Sequence, residues 1–282
     1  YYLCVLIMLI FVALPGGSYN NPDGTFNAWY MGRDLMAHAT FTHTLFRFSY
    51  IGSPLNGSLW TLGVEMQFYL IFPLVARLFR KKPALCYAGM LAVAFGYRAW
   101  VATLPDTTLY FNQLPAYLDT FALGMAAALA HVRLSRVKHG AAMRLVCSAA
   151  TAAALWLLWR TAKVQAGCAT TEAIRLGQMN RRLAMGLLGA MLLVASANAG
   201  WVVRHILSNP VTRFVSSVSM QFYIWHQTLA VWLLRARIIP SISATPNYDG
   251  ELLWQKRYTF VCFAAALLLA ALLTYGFERP VS

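Results

Sequence analysis

Apolar residues along this 282-residue chain gather into eight blocks, at 1–14, 60–79, 84–104, 116–132, 142–159, 183–203, 214–234 and 258–277. A helix needs roughly 20 mostly apolar residues to cross a bilayer, and the blocks are of about that length. Turn-forming or charged stretches separate them. Pro15-Gly16-Gly17 stops the first block and "NNPDGT" continues the break. The pattern predicts an all-α fold, a polytopic transmembrane helix bundle. Residues 33–50 are apolar but interrupted by Arg33, Asp34, His38, His43 and Arg47. They predict an interfacial or re-entrant helix within an external loop, 15–59.

Composition agrees with a membrane protein. Hydrophobic residues make up 59% and charged residues 11%, with mean hydropathy +0.55. Soluble domains carry about 25% charged residues. The net charge of +14 reads as basic loops held at a cytoplasmic face, not as a nucleic-acid surface. The five cysteines form no CxxC and no Cys/His ligand spacing, so neither a metal site nor a disulfide framework is predicted. The chain reads as one integral membrane domain, 1–282. It opens directly on "YYLCVLIMLIFVAL", with no Met, basic n-region or cleavage site. The opening is therefore not a signal peptide, and the expectation is a domain truncated at its amino end.

Loop charge gives an orientation. Arg80-Lys81-Lys82 and the 132–144 stretch, with Arg133, Arg136, Lys138 and Arg144, mark cytoplasmic ends. The 103–119 connection carries only Asp106 and Asp119, which suits the outside. Alternation puts 15–59, 103–116, 160–182 and 235–257 outside. One loop disagrees: 160–182 carries Arg160, Lys163, Arg175, Arg181 and Arg182 against Glu172. Those arginines are either a misfit or contacts for an anionic substrate.

Four predicted spans contain ionisable residues, which hydrocarbon excludes unless they are paired, protonated or turned to a polar cavity. At ~1.5 Å per residue, Glu65 lies about 8 Å below the outer end of its helix, Arg98 about 9 Å, Asp119 about 5 Å and His226 about 12 Å. All four fall in one layer, so a polar cluster facing an internal cavity is expected. Ser58, Thr61, Glu65 and Tyr69 share a helical stripe, as do Ser216, Ser219, Tyr223 and His226. The plainer alternative for Arg98 is an ion pair with Glu65 or Asp119 that only fixes packing. Trp60, Trp201 and Trp254 lie near helix ends and read as interface anchors. Gly124 reads as a close-packing position, and Pro73 as a kink.

The stretch "SLWTLGVEMQFYLIFPL" resembles the acyltransferase 3 family of integral membrane O-acyltransferases. Trp60, Glu65, Phe68, Tyr69 and Pro73 stand as in that family's "SLW-L--E--FY---P" pattern. "FGYRAW", "LPAYLDTFALGMAAA", "LSNPVTRFVSSVSMQFYIWHQTLAVWLL" and the closing "LLTYGFERPVS" agree with it in order, although Met220 replaces a usual tyrosine. The resemblance implies ten helices, of which about eight are present here. The helix that carries the family's catalytic histidine, and an "R--R" stretch, have no counterpart in these residues. It further implies transfer of an acyl group, usually acetyl, from acyl-CoA to a hydroxyl of a cell-surface or exported glycan, in a bacterial inner membrane. The carried-over roles are catalytic for Glu65, Arg98 and His226. They are substrate-binding for Trp60, Tyr69, Asp119, Tyr223 and Gln227. No cofactor is held tightly; acyl-CoA is a donor substrate, and Lys81, Arg133, Arg136 and Lys138 are available to its phosphates. The implied partners are membrane lipid, acyl-CoA and the hydroxyl-bearing acceptor. A polytopic transporter or flippase is the alternative class, and a catalytically dead membrane fragment is another.

Overall fold

A computed structural model describes residues 1–137, 140–168, 170–243, 246 and 250–281. Lys138, a basic residue expected to serve acyl-CoA, lies outside them. The described residues are mainly helical, with α1 (Tyr2–Met8), α2 (Ala28–Ala39), α3 (Arg47–Tyr50), α4 (Trp60–Lys81), α5 (Pro83–Ala102) and α6 (Leu118–Ser135). Beyond these lie α7 (Ala141–Ala166), α8 (Thr171–Asn198), α9 (Trp201–Leu207), α10 (Pro210–Arg235), α11 (Leu252–Leu273) and α12 (Arg279–Val281). A helix stands at each of the eight predicted blocks.

Local chemistry sets the helix ends. The Asn27 side chain accepts the Tyr30 N–H at 2.8 Å and starts α2. Asn56 does the same for Ser58 ahead of α4, and Thr170 for Ala173 in α8. Pro83 occupies the first turn of α5, where its missing N–H is not needed. Pro73 sits inside α4 without ending it. By length and apolarity, four helices among the described residues qualify as spans, or five if α8 and α9 are one broken span.

Three boundaries differ from expectation. The apolar 33–50 stretch is not one helix; α2 begins earlier and stops at Ala39, because Phe41 adopts a left-handed φ of 56°. The expected 160–182 loop is mostly helix, since α7 runs on to Ala166 and α8 starts at Thr171. Block 183–203 is broken: Ala199 is extended, Gly200 comes next, and α9 leaves at 112° to α8.

The chain divides into two compact units. The first comprises Tyr1–His43, Phe48–Leu62 and Pro210–Ser282. Its core packs Cys4, Val5, Met8 and Ala13 against Leu55, Leu59, Ile224 and Trp225. Asn56 ties this core by donating to the Ile224 carbonyl at 2.5 Å and to Cys4 Sγ at 3.3 Å. Two tyrosines, one in α1 and one beyond it, bond to α2. Tyr2 donates to the Ala39 carbonyl at 2.9 Å, and Tyr19 to Asp34 at 2.7 Å. In this unit α10 and α11 pair, and Tyr258 donates to the Ala230 carbonyl. Trp254 is buried, stacks on Tyr258 and donates to the Ile239 carbonyl at 3.1 Å. It is therefore a packed core residue and not the interface anchor its place near a helix end predicts.

The second unit comprises Thr44–Arg47 and Gly63–Asn209. Phe68 stacks on Phe121 at 3.8 Å, joining α4 to α6, with Val75, Met90 and Ala122 around them. A second cluster gathers Val101, Phe111 and Met179. Thr44 is fully buried; Gln67 donates to its hydroxyl at 3.1 Å and Gln113 to its carbonyl.

Candidate active site

In the second unit, Arg98 and Asp119 find each other. The Arg98 guanidinium donates to Asp119 Oδ2 at 2.7 Å and to the Ala116 carbonyl at 3.0 Å. The other Asp119 oxygen accepts the Thr120 N–H at 2.8 Å, at the start of α6. Both residues are buried. Of the two ion pairs open to Arg98 in the sequence, the structure forms the one with Asp119.

Glu65 is half-buried on α4 and makes no hydrogen bond or ion pair among the described residues. Its stripe mates Ser58 and Thr61 are engaged. Ser58 donates to Gln227 Oε1, and Thr61 to the Tyr223 hydroxyl, both at 2.9 Å. Tyr69 is 58% exposed. Trp60 is partly buried at the first position of α4.

His226, in the first unit, is exposed, and its Nδ1 lies 2.7 Å from the Tyr223 carbonyl. That contact fixes Nδ1 as the protonated nitrogen and leaves Nε2 able to accept a proton. Ser216 and Ser219, on the same stripe, are exposed as well. The buried positions of α10 are instead Val218, Ile224, Trp225 and Thr228. Gln227 lines a cleft of about 180 Å³ with Asn56, Gly57 and Arg235. Of the four ionisable residues, Arg98 and Asp119 form a closed ion pair, Glu65 in the same unit makes no hydrogen bond or ion pair among the described residues, and His226, in the first unit, is exposed. Glu65 forms no ion pair with Arg98.

A buried polar hub in the first unit is not legible from the sequence pattern. Asp34 is fully buried, and four side chains converge on its carboxylate. Tyr19 and Ser53 donate to Oδ2 at 2.7 Å each, Ser49 donates to Oδ1 at 2.5 Å, and His38 Nδ1 lies 3.2 Å from Oδ1. His38 also faces the Asp34 carbonyl at 2.9 Å, which fixes its Nδ1–H tautomer. His43 stacks on His38 at 4.4 Å. Burial pushes the Asp34 carboxyl upward, but the donors from His38, Ser49, Ser53 and Tyr19 outweigh it and hold the group below its ordinary range. Burial, and then the neighbouring His38, lower His43 from 6.5 to about 3. The Leu59 carbonyl favours a proton on the His43 ring, yet Nε2 has no partner in hydrogen-bond geometry. The one local signal is the Asp-x-x-x-His spacing of Asp34 and His38, which places both on one helix face.

This geometry stands beside a match to known proteins. A family model described as an acyltransferase domain matches residues 1–276. The chain belongs to the acyltransferase 3 family. No curated protein and no solved structure matches it. Membership makes the chain a membrane acyltransferase domain. Gly124, read from sequence as a close-packing position of this acyltransferase domain, has open space where a Cβ would stand. At Gly186, by contrast, a Cβ would stand 2.9 Å from Leu123 Cδ1.

Proposed function

We propose that the protein is a membrane O-acyltransferase of the bacterial cytoplasmic membrane. It moves an acyl group, acetyl first among them, from acyl-CoA to a hydroxyl of a cell-surface or exported glycan. The observation that carries this reading is Glu65. A half-buried carboxylate in an apolar helix costs several kcal/mol unless compensated, and Glu65 has no protein partner among the described residues. Arg98 and Asp119, by contrast, satisfy each other. An unspent carboxylate within the family's signature is what an incoming hydroxyl would meet.

In the reaction the acceptor oxygen loses its proton as it attacks the thioester carbonyl. A tetrahedral oxyanion forms, the C–S bond breaks, and the departing thiolate takes up a proton. Glu65 orients the acceptor hydroxyl. His226 offers Nε2 as a proton acceptor, with its Nδ1 held at the Tyr223 carbonyl. Gln227, Tyr223 and Trp60 in the first unit, and Tyr69 in the second, are the residues that the family resemblance assigns to the acceptor. Arg98 and Asp119 act together by positioning the outer ends of α5 and α6. The donor phosphates meet Lys81, Arg133 and Arg136. No tightly held cofactor is required.

The test is transfer of labelled acetyl from acetyl-CoA by membranes bearing the protein, compared with Glu65→Gln. Loss of transfer at unchanged protein level is expected. Unchanged turnover would remove Glu65 from the mechanism, and no transfer by the parent protein to any glycan fraction would remove the acetyl–glycan reading.

A further inference from the structure

The second unit holds a cavity of about 380 Å³ along α6 and α8 that the acyl-transfer reading does not use. Its two ends differ in chemistry. At one end is Arg182, only 7% exposed although it carries a charge. Its guanidinium lies 3.8 Å over the Tyr117 ring and 5.1 Å from that of Phe111. It donates to the Phe111 carbonyl at 3.3 Å and approaches that of Ala116 at 3.5 Å. Tyr117 and Thr120 share this end of the wall, and the Thr120 hydroxyl lies 3.4 Å from Asp119 Oδ1. Toward the other end the wall is Gly124, Gly189 and Leu193. Nothing stands within 4 Å of a Cβ built on either glycine, so a slot runs on from the cation. Leu193 is 65% exposed, so the slot opens at the side of the helices. From Arg182 to Leu193 it extends about 16 Å at ~1.5 Å rise per residue.

Arg182 is thus a buried cation held by protein partners of its own. The first turns of α8 also concentrate Arg175, Arg181 and Arg182 against Glu172. This is the basic segment that fits badly with the loop-charge orientation. A cation at the head of a narrow apolar slot matches one class of molecule in shape and charge: a lipid with an anionic phosphate headgroup. Arginine's planar fork suits phosphate oxygens. Basic recesses between spanning helices bind anionic lipid headgroups.

We propose that the α6–α8 cavity is a binding site for a phosphate-headed lipid, with the phosphate at Arg182 and Thr120 and one chain along Gly124 and Gly189. The site does not depend on the acyl-transfer reading, because occupancy is measured without turnover.

The experiment is native mass spectrometry of the detergent-solubilised protein titrated with phosphatidylglycerol, with diacylglycerol and inorganic phosphate as controls. The parent protein is expected to retain phosphatidylglycerol stoichiometrically and to ignore diacylglycerol, and excess inorganic phosphate is not expected to displace the lipid. Arg182→Gln should weaken retention about tenfold or more, the equivalent of ~1.4 kcal/mol. Because a buried arginine can matter for folding, Gly189→Leu is the second variant. It fills the slot from its open side, leaves the charge in place, and should also abolish retention. Retention unchanged in both variants overturns the proposal. So does equal retention of diacylglycerol, or displacement by phosphate alone, which would make the site an anion pocket with no lipid specificity.

Discussion

Arg98 and Asp119 form a closed pair: Nη2 and Oδ2 are 2.7 Å apart, and the two side chains are 8% and 0% exposed. Removing one partner leaves the other charged and buried, at a cost of about 3–5 kcal/mol. Arg98→Leu and Asp119→Leu should therefore each lower the thermal midpoint in detergent sharply. The double variant should recover much of the loss, since neither charge is then stranded. A double variant worse than the sum of the singles would show that the pair does more than hold α5 to α6.

Glu65 predicts the opposite separation of effects. It has no hydrogen-bond or ion-pair partner among the described residues to lose, so Glu65→Gln should not lower the melting temperature, and removal of an uncompensated half-buried charge should raise it. Acetyl transfer should fall at least 100-fold, on the order of the 10²–10⁴ that a positioned acid–base group contributes. Loss of stability in step with loss of activity would make Glu65 a packing residue.

The Asp34 hub ties together Tyr19, His38, Ser49 and Ser53. Hydrogen bonds to a charged group contribute about 1.5–3 kcal/mol each. Asp34→Asn keeps the shape but turns one acceptor into a donor facing hydroxyls. It should destabilise the 15–59 segment by at least ~2 kcal/mol and speed proteolysis there before global unfolding. Unchanged protection of that segment would contradict the hub.

The same hub sets a pH dependence. His43 is held at about 3 against an ordinary 6.5, so the unfolded chain binds more protons than the folded one between those values. Stability from this group is therefore complete above about pH 6.5 and falls as pH drops toward 3, by at most ~1.4 kcal/mol per pH unit. Asp34, whose carboxyl is lowered, adds a loss of the same sign only below the ordinary carboxylate range, about pH 4. Urea midpoints at pH 7.5, 6, 5 and 4 should decline in the parent and stay flatter over pH 6.5–4 in His43→Phe. Equal slopes in the two proteins would exclude His43 as the source.

Asn56 is buried, and its amide donates to the carbonyl of Ile224 in the middle of α10. Asn56→Leu removes that bond and the acceptance from the Ser58 N–H. A cost of about 1–3 kcal/mol is expected, read as a lower unfolding midpoint. A neutral result would mean that the Asn56 contacts to α10 and Cys4 contribute nothing net.

Sequence alone determined the helices and the family. Hydrophobic blocks of spanning length and the "SLW-L--E--FY---P" spacing are local properties of the chain, so eight helices and the acyltransferase 3 signature could be read without coordinates. Helix ends were less legible. Residues 160–182 are polar enough to read as loop, yet α7 and α8 continue through them, because a helix that projects past apolar surroundings keeps its backbone bonds in water. Tertiary structure alone decided which polar residues satisfy each other. Glu65 and Asp119 look alike as carboxylates in apolar helices, but Asp119 pairs with Arg98 while Glu65 makes no hydrogen bond or ion pair among the described residues. Asp34 and Ser53 are 19 positions apart, and no periodicity announces that their oxygens touch. Burial and partner geometry depend on how distant segments pack, and a one-dimensional pattern records only which face of its own helix a residue occupies.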